Sequence, residues 1–174
     1  MAARTRSKPR KARIELRPAA LADARFLFRL RNDPVTRQSS FQTAPLKFSD
    51  HRGWLAARLS DPERKVRLWI ALMVGPGRAP VRMGQVRFDC GARGRVEISI
   101  ALAPRFRGQG LATPLLVRAR GKAPISANRV LARIRVENEI SQKAFVKAGF
   151  RRHGGVRPRP ARHMVLLWRR AARL

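Results

Sequence analysis

The segment from Glu97 to Ala112 reads EISIALAPRFRGQGLA and places a sharp demand on the fold. Val96, Ile98, Ile100 and Leu102 alternate with Glu97, Ser99 and Ala101, the period-2 signature of a half-buried strand. Pro104 stops that strand, and Leu111, Leu115 and Leu116 then mark an apolar helix. Between them lies Arg105-Phe106-Arg107-Gly108-Gln109-Gly110. A strand, a glycine-bearing loop and a helix N-terminus together aim free backbone N–H groups and a positive dipole end at one spot. The natural occupant is an anion, above all a pyrophosphate. Glycine suits such a loop because a Cβ would hold the phosphates off the backbone.

A second segment follows. Val130 to Val136 alternates as another strand and runs into Glu137-Asn138-Glu139-Ile140-Ser141, then into Ala144-Phe145-Val146-Lys147-Ala148-Gly149-Phe150. With these residues in place, the chain resembles the GNAT superfamily of acetyl-CoA-dependent N-acetyltransferases from about Arg13 to about Trp168. Arg105-x-x-Gly108-x-Gly110 is similar to that family's pyrophosphate loop. Asn138-x-x-Ser141 and Gly149-Phe150 are similar to its second cofactor segment.

The resemblance implies an α/β GNAT fold: a central, mostly antiparallel mixed sheet flanked by helices on both faces. It implies acetyl-CoA as cofactor, held by Ile100, Ala101 and Leu102 at the strand end, by Arg105, Phe106, Arg107, Gly108, Gln109, Gly110, Leu111 and Ala112 in the loop, and by Asn138, Ser141 and Phe145. Backbone N–H groups near Ala101 and Leu102 are placed to bond the pantetheine arm and the thioester oxygen. If Ile98 and Ile100 face the core, Glu97 and Ser99 face the cleft. Glu97 is then the candidate base toward the amine, directly or through a water; the alternative is a solvated strand residue. Family members commonly carry a tyrosine four residues after the serine of the second segment, as acid toward the thiolate. This chain has Phe145 there and no tyrosine at all. Water or Ser99 must protonate the thiolate, or it leaves as the anion, which a thiol pKa near ~8.5 allows. In the family, the region after the first helix shapes the acceptor pocket, which makes Arg31, Asn32, Ser39 and Ser40 the substrate-binding candidates.

Composition sets the outer bounds. The chain's 174 residues, 44% of them hydrophobic, suit one domain with a real core, expected over residues 13–174 behind a basic, disordered tail at 1–12. That tail lacks the apolar core of a secretory signal. No apolar run approaches membrane-spanning length, so no membrane role is expected. Forty Lys and Arg against ten Asp and Glu give a formal charge of +30. Such a field binds polyanions non-specifically at low salt and attracts anionic ligands. The basic residues are scattered rather than blocked, as a compositional bias would leave them. The single Cys90 excludes an internal disulfide and fits a reducing cytoplasm; beside Asp89 it reads as filler at a hairpin turn. His51, His153 and His163 have no metal-ligand spacing, so no metal is expected.

Along the chain, Ile14 to Leu16 reads as a strand and Pro18 to Arg31 as a helix, ended by turn chemistry at Asn32-Asp33-Pro34. Ser49 is positioned to cap a helix over Asp50 to Ser60, with Trp54 in the core. Strands at Val66–Val74, Val81–Phe88 and the Glu97 segment form a meander. Pro114, Gly121 and Pro124 predict a shortened or kinked helix after the loop. Gly149 predicts a helix C-cap, with strands at Phe150–His153 and Met164–Trp168.

The resemblance implies transfer of acetyl from acetyl-CoA to a primary amine. Gly84 to Asp89, Glu97 to Ile100 and Arg31 to Asp33 look most similar to acetyltransferases of nucleotide-linked amino sugars of the pseudaminic-acid pathway type. Two other readings stay open: a protein N-terminal or ribosomal-protein acetyltransferase, and a basic nucleic-acid-binding protein that retains the fold.

Overall fold

The computed structural model describes residues 12–63, 65–124, 127, 129–157 and 162–169, so the expected tail lies outside the described residues except for Ala12. Seven strands form one sheet: β1 (Arg13–Pro18), β2 (Val66–Val74), β3 (Val81–Cys90), β4 (Val96–Leu102), β5 (Arg129–Arg135), β6 (Arg151–Arg152) and β7 (His163–Arg169). Their order is β1-β2-β3-β4-β5-β7-β6. Every neighbouring pair is antiparallel except β4 and β5, which run parallel. The sheet is the mixed, mostly antiparallel one that the resemblance implies.

Period-2 alternation sends each strand's side chains to two different helix layers. On one face Leu68 and Ile70 of β2 pack with Ala24 and Leu27 of α1 (Ala24–Asn32) and Leu55 of α3 (Phe48–Leu59). On the other, Val96, Ile98, Val130 and Ala132 pack with Leu115, Leu116 and Ala119 of α4 (Ala112–Arg120) and with Phe145 and Ala148 of α5 (Glu139–Lys147). Each fully buried leucine there contributes about 1.5–3 kcal/mol of transfer free energy. Beta-strand β3 carries a bulge: the β2 register shifts between Ala71 and Leu72, so Arg82 joins Leu72 on the α1 face while Met83 stays in the opposite core.

Several local expectations need correction. The polar stretch after the first helix is not one loop, because Pro34–Gln38 forms a short helix, α2. Asp33 caps it by accepting the Thr36 N–H at 3.0 Å, and Pro34 sits at a first-turn position where its missing N–H costs nothing. The helix before it starts late. Pro18 still belongs to β1, a single 3-10 turn covers Leu21–Asp23, and regular helix begins at Ala24. Ser49 is not the cap of α3: the helix starts at Phe48 behind Lys47, and the Ser49 hydroxyl donates to Asp50 at 3.1 Å. Cys90 closes β3 instead of sitting in the turn, and burial pushes its thiol up. The strand expected over Phe150–His153 shrinks to Arg151–Arg152, because Phe150 is buried as part of a helix cap.

That cap and the shortened helix appear as expected. Gly149 takes φ +87°, its N–H donates to Val146 and the Phe150 N–H donates to Phe145, the two bonds of a Schellman motif. Helix α4 begins at Ala112 and ends at Arg120, so Pro114 lies in the first turn and Gly121 beyond the end.

Candidate functional site

Strands β4 and β5 pair only through Val96↔Val130 and Glu97↔Leu131, while β4 runs on to Leu102 and β5 to Arg135. Past Glu97 the sheet forks. On its other edge β4 stays paired with β3 in constant register, and the Ala103 N–H donates to the Met83 carbonyl at 2.8 Å. Alternation along an antiparallel ladder then turns the backbone groups of Ala101 and Ser99 toward β3, and those of Ile100 and Leu102 toward the fork. Of the two amides singled out at the strand end, Leu102 faces the opening and Ala101 faces β3. The opening therefore presents backbone donors and acceptors of an unzipped parallel ladder, which suit a ligand arm bearing amides of its own.

The glycine loop stands at the mouth of this fork. Pro104–Phe106 make one 3-10 turn, after which Gly108 and Gly110 adopt φ +73° and +71°. A Cβ built at either position would meet nothing within 4 Å, so both backbones border open space. Helix α4 makes its first bond from the Leu115 N–H to Leu111, and its N-cap, Leu111, offers no side-chain acceptor. The N–H groups of Ala112 and Thr113 are left to a ligand or solvent. Two left-handed glycines and an uncapped helix start form a concave run of donors at the positive end of a dipole, which fits a pyrophosphate.

Arg107 fixes this loop to the rest of the molecule. Its Nε donates to the Leu102 carbonyl at 3.0 Å, and its Nη2 donates to Asp33 at 2.6 Å and to the Thr36 hydroxyl at 3.1 Å. One side chain thereby ties the end of β4, the loop and the start of α2. Burial alone would raise the Asp33 carboxyl, but hydrogen bonds from Arg107 and the Thr36 N–H, with the charge of Arg107, hold it below the usual carboxylate range. Neither Asp33 nor Thr36 is among the candidate site residues of the sequence, where Asp33 enters only in the Arg31–Asp33 resemblance and as turn chemistry. The Asp-Pro-x-Thr cap pattern signals a helix start but not its partner on a distant loop.

The other named residues sort as follows. Gln109 donates to the Arg105 carbonyl at 2.6 Å, and Arg105 stacks 4.9 Å from the Phe106 ring centre, so both shape the loop locally. Asn138 is the N-cap of α5 and accepts the Ser141 N–H at 3.1 Å. Gln142 donates to the carbonyls of Arg135 and Val136, tying α5 to the end of β5. Phe145 is only 4% exposed and meets Phe150 edge-on at 4.9 Å, which places it in the core.

Glu97 and Ser99 lie on the α1 face, as their parity requires, and Ser99 is exposed. Both Glu97 oxygens accept Arg133 Nε at 2.8 Å. The pair bridges β4 and β5 beside the apex of the fork. Arg133 also lies 5.1 Å from the centre of Phe41, whose ring meets His163 at 5.3 Å. A loop over residues 39–47 thus crosses this face. Arg31 donates to the Gln42 carbonyl at 2.8 Å, Asn32 exchanges two bonds with Leu46, Arg37 donates to Thr43, and Arg135 reaches the Ser40 carbonyl at 3.4 Å. Ser39 is exposed. Arg31 and Asn32 therefore hold this loop across the face. Arg87, the register partner of Ser99, pairs with Asp89 at 2.6 Å and lies 5.2 Å over Trp54. Burial first, then the charges of Arg37 and Arg87, lower the proton affinity of Arg31 on this face.

Comparisons with known proteins bear on this geometry. A family model described as an acetyltransferase (GNAT) domain matches residues 13–151. No curated protein sequence matches. Among solved structures, spermidine N-acetyltransferase from Vibrio cholerae in complex with CoA and spermine superposes with a TM-score of 0.77 at 18% identity, covering 90% of this chain and 95% of the other. The aminoglycoside acetyltransferase AAC(6')-Ib in complex with coenzyme A and kanamycin gives 0.72 at 18% identity, covering 91% and 95%. A domain from Methanocaldococcus jannaschii gives 0.68 at 20%, covering 91% and 99%. At these identities the likeness establishes the shared fold.

Proposed function

The chain belongs to the GNAT acetyltransferase family, and from that premise we propose that it moves acetyl from acetyl-CoA to the primary amine of an anionic acceptor, a nucleotide-linked amino sugar. The observation that carries the transfer reading is the conjunction of the β4–β5 fork with the two left-handed glycines beside it. Acetyl-CoA, when bound, supplies the acetyl group as a thioester. Gly108, Gly110 and the first-turn amides of α4 hold its phosphates. The Ile100 backbone groups and the Leu102 N–H would bond the amide-bearing arm and offer a donor to the thioester oxygen, the Leu102 carbonyl already accepting Arg107 Nε. Glu97 is the carboxylate beside the fork and takes the proton of the attacking amine, with Arg133 fixing its position. Phe145 offers no proton and is buried, so among the candidate catalytic residues only the Ser99 hydroxyl would be left, beside water, to give a proton to a leaving thiolate, and a thiol pKa near ~8.5 would also let it depart as the anion.

The acceptor class follows from charge. Spermine and kanamycin, which accompany the two enzyme neighbours, are polycations. Here the acceptor face carries Arg31, Arg37, Arg87, Arg133 and Arg135, with Asp89, Glu97 and Glu137 as the acids bonded to them. A polycation meets repulsion there and an amine with phosphates meets attraction. An acidic N-terminal peptide is the second reading, because the same face would receive it. The test is thiol release from acetyl-CoA with a nucleotide-linked amino sugar, an acidic N-terminal peptide, spermine and kanamycin. Release with the nucleotide-linked amine well above the others is expected. Release with spermine or kanamycin alone overturns the acceptor assignment.

A further inference from the structure

On the α1 face, a groove of about 840 Å³ runs between β1, the start of β3, α1 and the turn that leaves β4. Its walls include Arg17, Arg29, Arg82 and Arg105, and Phe26 lies between them. The nucleotide-linked acceptor proposed above leaves the location of its phosphates open. We propose that this groove is where they bind, an inference that rests on that reading for the identity of the ligand but not for the site itself.

The site is built. Asp23, only 1% exposed, accepts both Nη groups of Arg17 at 2.7 Å, Arg82 Nε at 3.0 Å and the Ala20 N–H at 3.0 Å. A buried carboxylate with that many donors stays charged and fixes two guanidinium groups at once. Arg82 spends only its Nε, so both its Nη groups remain for a ligand. Its head lies 6.0 Å from the centre of the Phe26 ring. Arg29 is exposed and its guanidinium forms neither hydrogen bond nor ion pair among the described residues; Arg105 has no carboxylate among them. Four guanidinium groups against the single Asp23 carboxylate leave a surplus of three positive charges on one groove. A diphosphate matches that surplus, and guanidinium forks match phosphate geometry. A lone carboxylate would leave most of it unbalanced.

The position also suits an acceptor. Ala103 and Pro104 line the groove and directly follow Leu102, so its mouth opens about 7 Å of chain from the last fork-facing amide. A second hollow of about 460 Å³ continues along α1 past Phe28 to Asp33, sharing Phe26, Arg29, Ala103 and Pro104 with the first. The cofactor carries phosphates too, and competition separates the two sources.

The experiment titrates uridine diphosphate into the full-length protein, with and without saturating CoA, at about 150 mM KCl to suppress the diffuse field. Uridine diphosphate should bind the CoA-saturated protein with a dissociation constant below about 1 mM. Arg82→Gln and Arg29→Gln should each weaken it roughly tenfold or more, the loss of one charge-assisted contact. Arg52→Gln removes the same charge from an exposed site on α3 and should change affinity less than about twofold. The Arg29 side chain makes no hydrogen bond or ion pair among the described residues, so its variant tests the site even if Arg82→Gln perturbs the Asp23 cluster. Displacement of uridine diphosphate by CoA, equal losses in Arg52→Gln and Arg29→Gln, or absence of binding would each overturn the site. Arginine-dependent binding without thiol release from any amine would leave the groove standing and remove the transfer reading. Thiol release from a nucleotide-linked amine that neither arginine variant affects would do the reverse.

Discussion

An alanine at Gly108 or Gly110 places a methyl group on a backbone held at φ +73° or +71°, where it meets no protein atom within 4 Å. The folded protein therefore suffers no clash, only the cost of a left-handed conformation, about 1–2 kcal/mol. In a chain of this length that lowers the melting temperature by roughly 2–8 °C. The methyl group nevertheless occupies the space in which the proposed cradle would hold a phosphate. Losing one N–H bond to a charged oxygen costs about 1.5–3 kcal/mol, or roughly ten- to 150-fold in CoA affinity. Gly77 provides a matched control. It lies in the β2–β3 turn at φ +65°, and its Cβ would also meet open space. Gly77→Ala should cost the same stability and leave CoA affinity unchanged. Thermal melts and CoA titration of the three variants measure both quantities. If Gly77→Ala loses as much affinity as the loop variants, or if Gly108→Ala and Gly110→Ala bind CoA as the parent does, the phosphate-cradle reasoning is wrong.

Arg107→Gln should destabilise by about 2–3 kcal/mol in urea melts, because Asp33 loses its cationic partner in a partly buried setting. With Asp33→Asn already present the same change should cost at least about 1 kcal/mol less, and strict additivity would refute the clamp. For His51, burial first and then the charge of Arg31 lower the folded-state pKa below its ordinary 6.5. The unfolded chain then takes up the proton first, so this contribution is complete above about pH 6.5 and is lost as pH falls toward the folded value. His51→Leu should flatten the stability slope between about pH 7 and 5.5, and an unchanged slope would exclude His51 as its source. Glu97→Gln should lower kcat roughly 100-fold with little change in CoA affinity, whereas an unchanged pH–rate profile would assign the proton to water. Phe145→Tyr should cost about 1–3 kcal/mol by burying a hydroxyl and leave kcat unchanged; a faster enzyme would mean that this position reaches the sulfur.

What the sequence makes legible here is whatever short-range chemistry decides. The β4 parity is written in alternating residues, and the late start of α4 is written in Pro114, since proline is tolerated only in a first turn. The cap at Gly149 likewise follows from six consecutive residues. Contacts between distant segments leave no such trace. Arg107 reads as one more basic residue in a loop, yet its partner Asp33 is 74 positions away. Arg133 lies 36 positions from Glu97, and only the β4–β5 register reveals that they meet beside the fork. Helix α2 is a closer miss: Asp-Pro ends many helices, and only the bond to the Thr36 N–H shows that it starts one here.

The charge of the chain acquires a sharper meaning once its acids are located. The sequence has ten Asp and Glu, and eight of them (Glu15, Asp23, Asp33, Glu63, Asp89, Glu97, Glu137 and Glu139) form ion pairs in the structure. The three with the least exposed side chains sit at joints: Asp23 joins β1 to β3, Asp33 joins α2 to the glycine loop, and Glu97 joins β4 to β5. No acid lies between Pro104 and Arg120, so the glycine loop and the start of α4 contain no carboxylate. In the α1 groove Asp23 is already saturated by arginine. Scattered arginine alone would give a diffuse field that salt screens within about 10 Å. Arginines held in place by acids of low exposure, where no unpaired acid competes, instead give the two proposed fixed positive sites. Acetyl-CoA and the phosphate-bearing acceptor we propose would together supply the negative charge that the chain has committed to its joints.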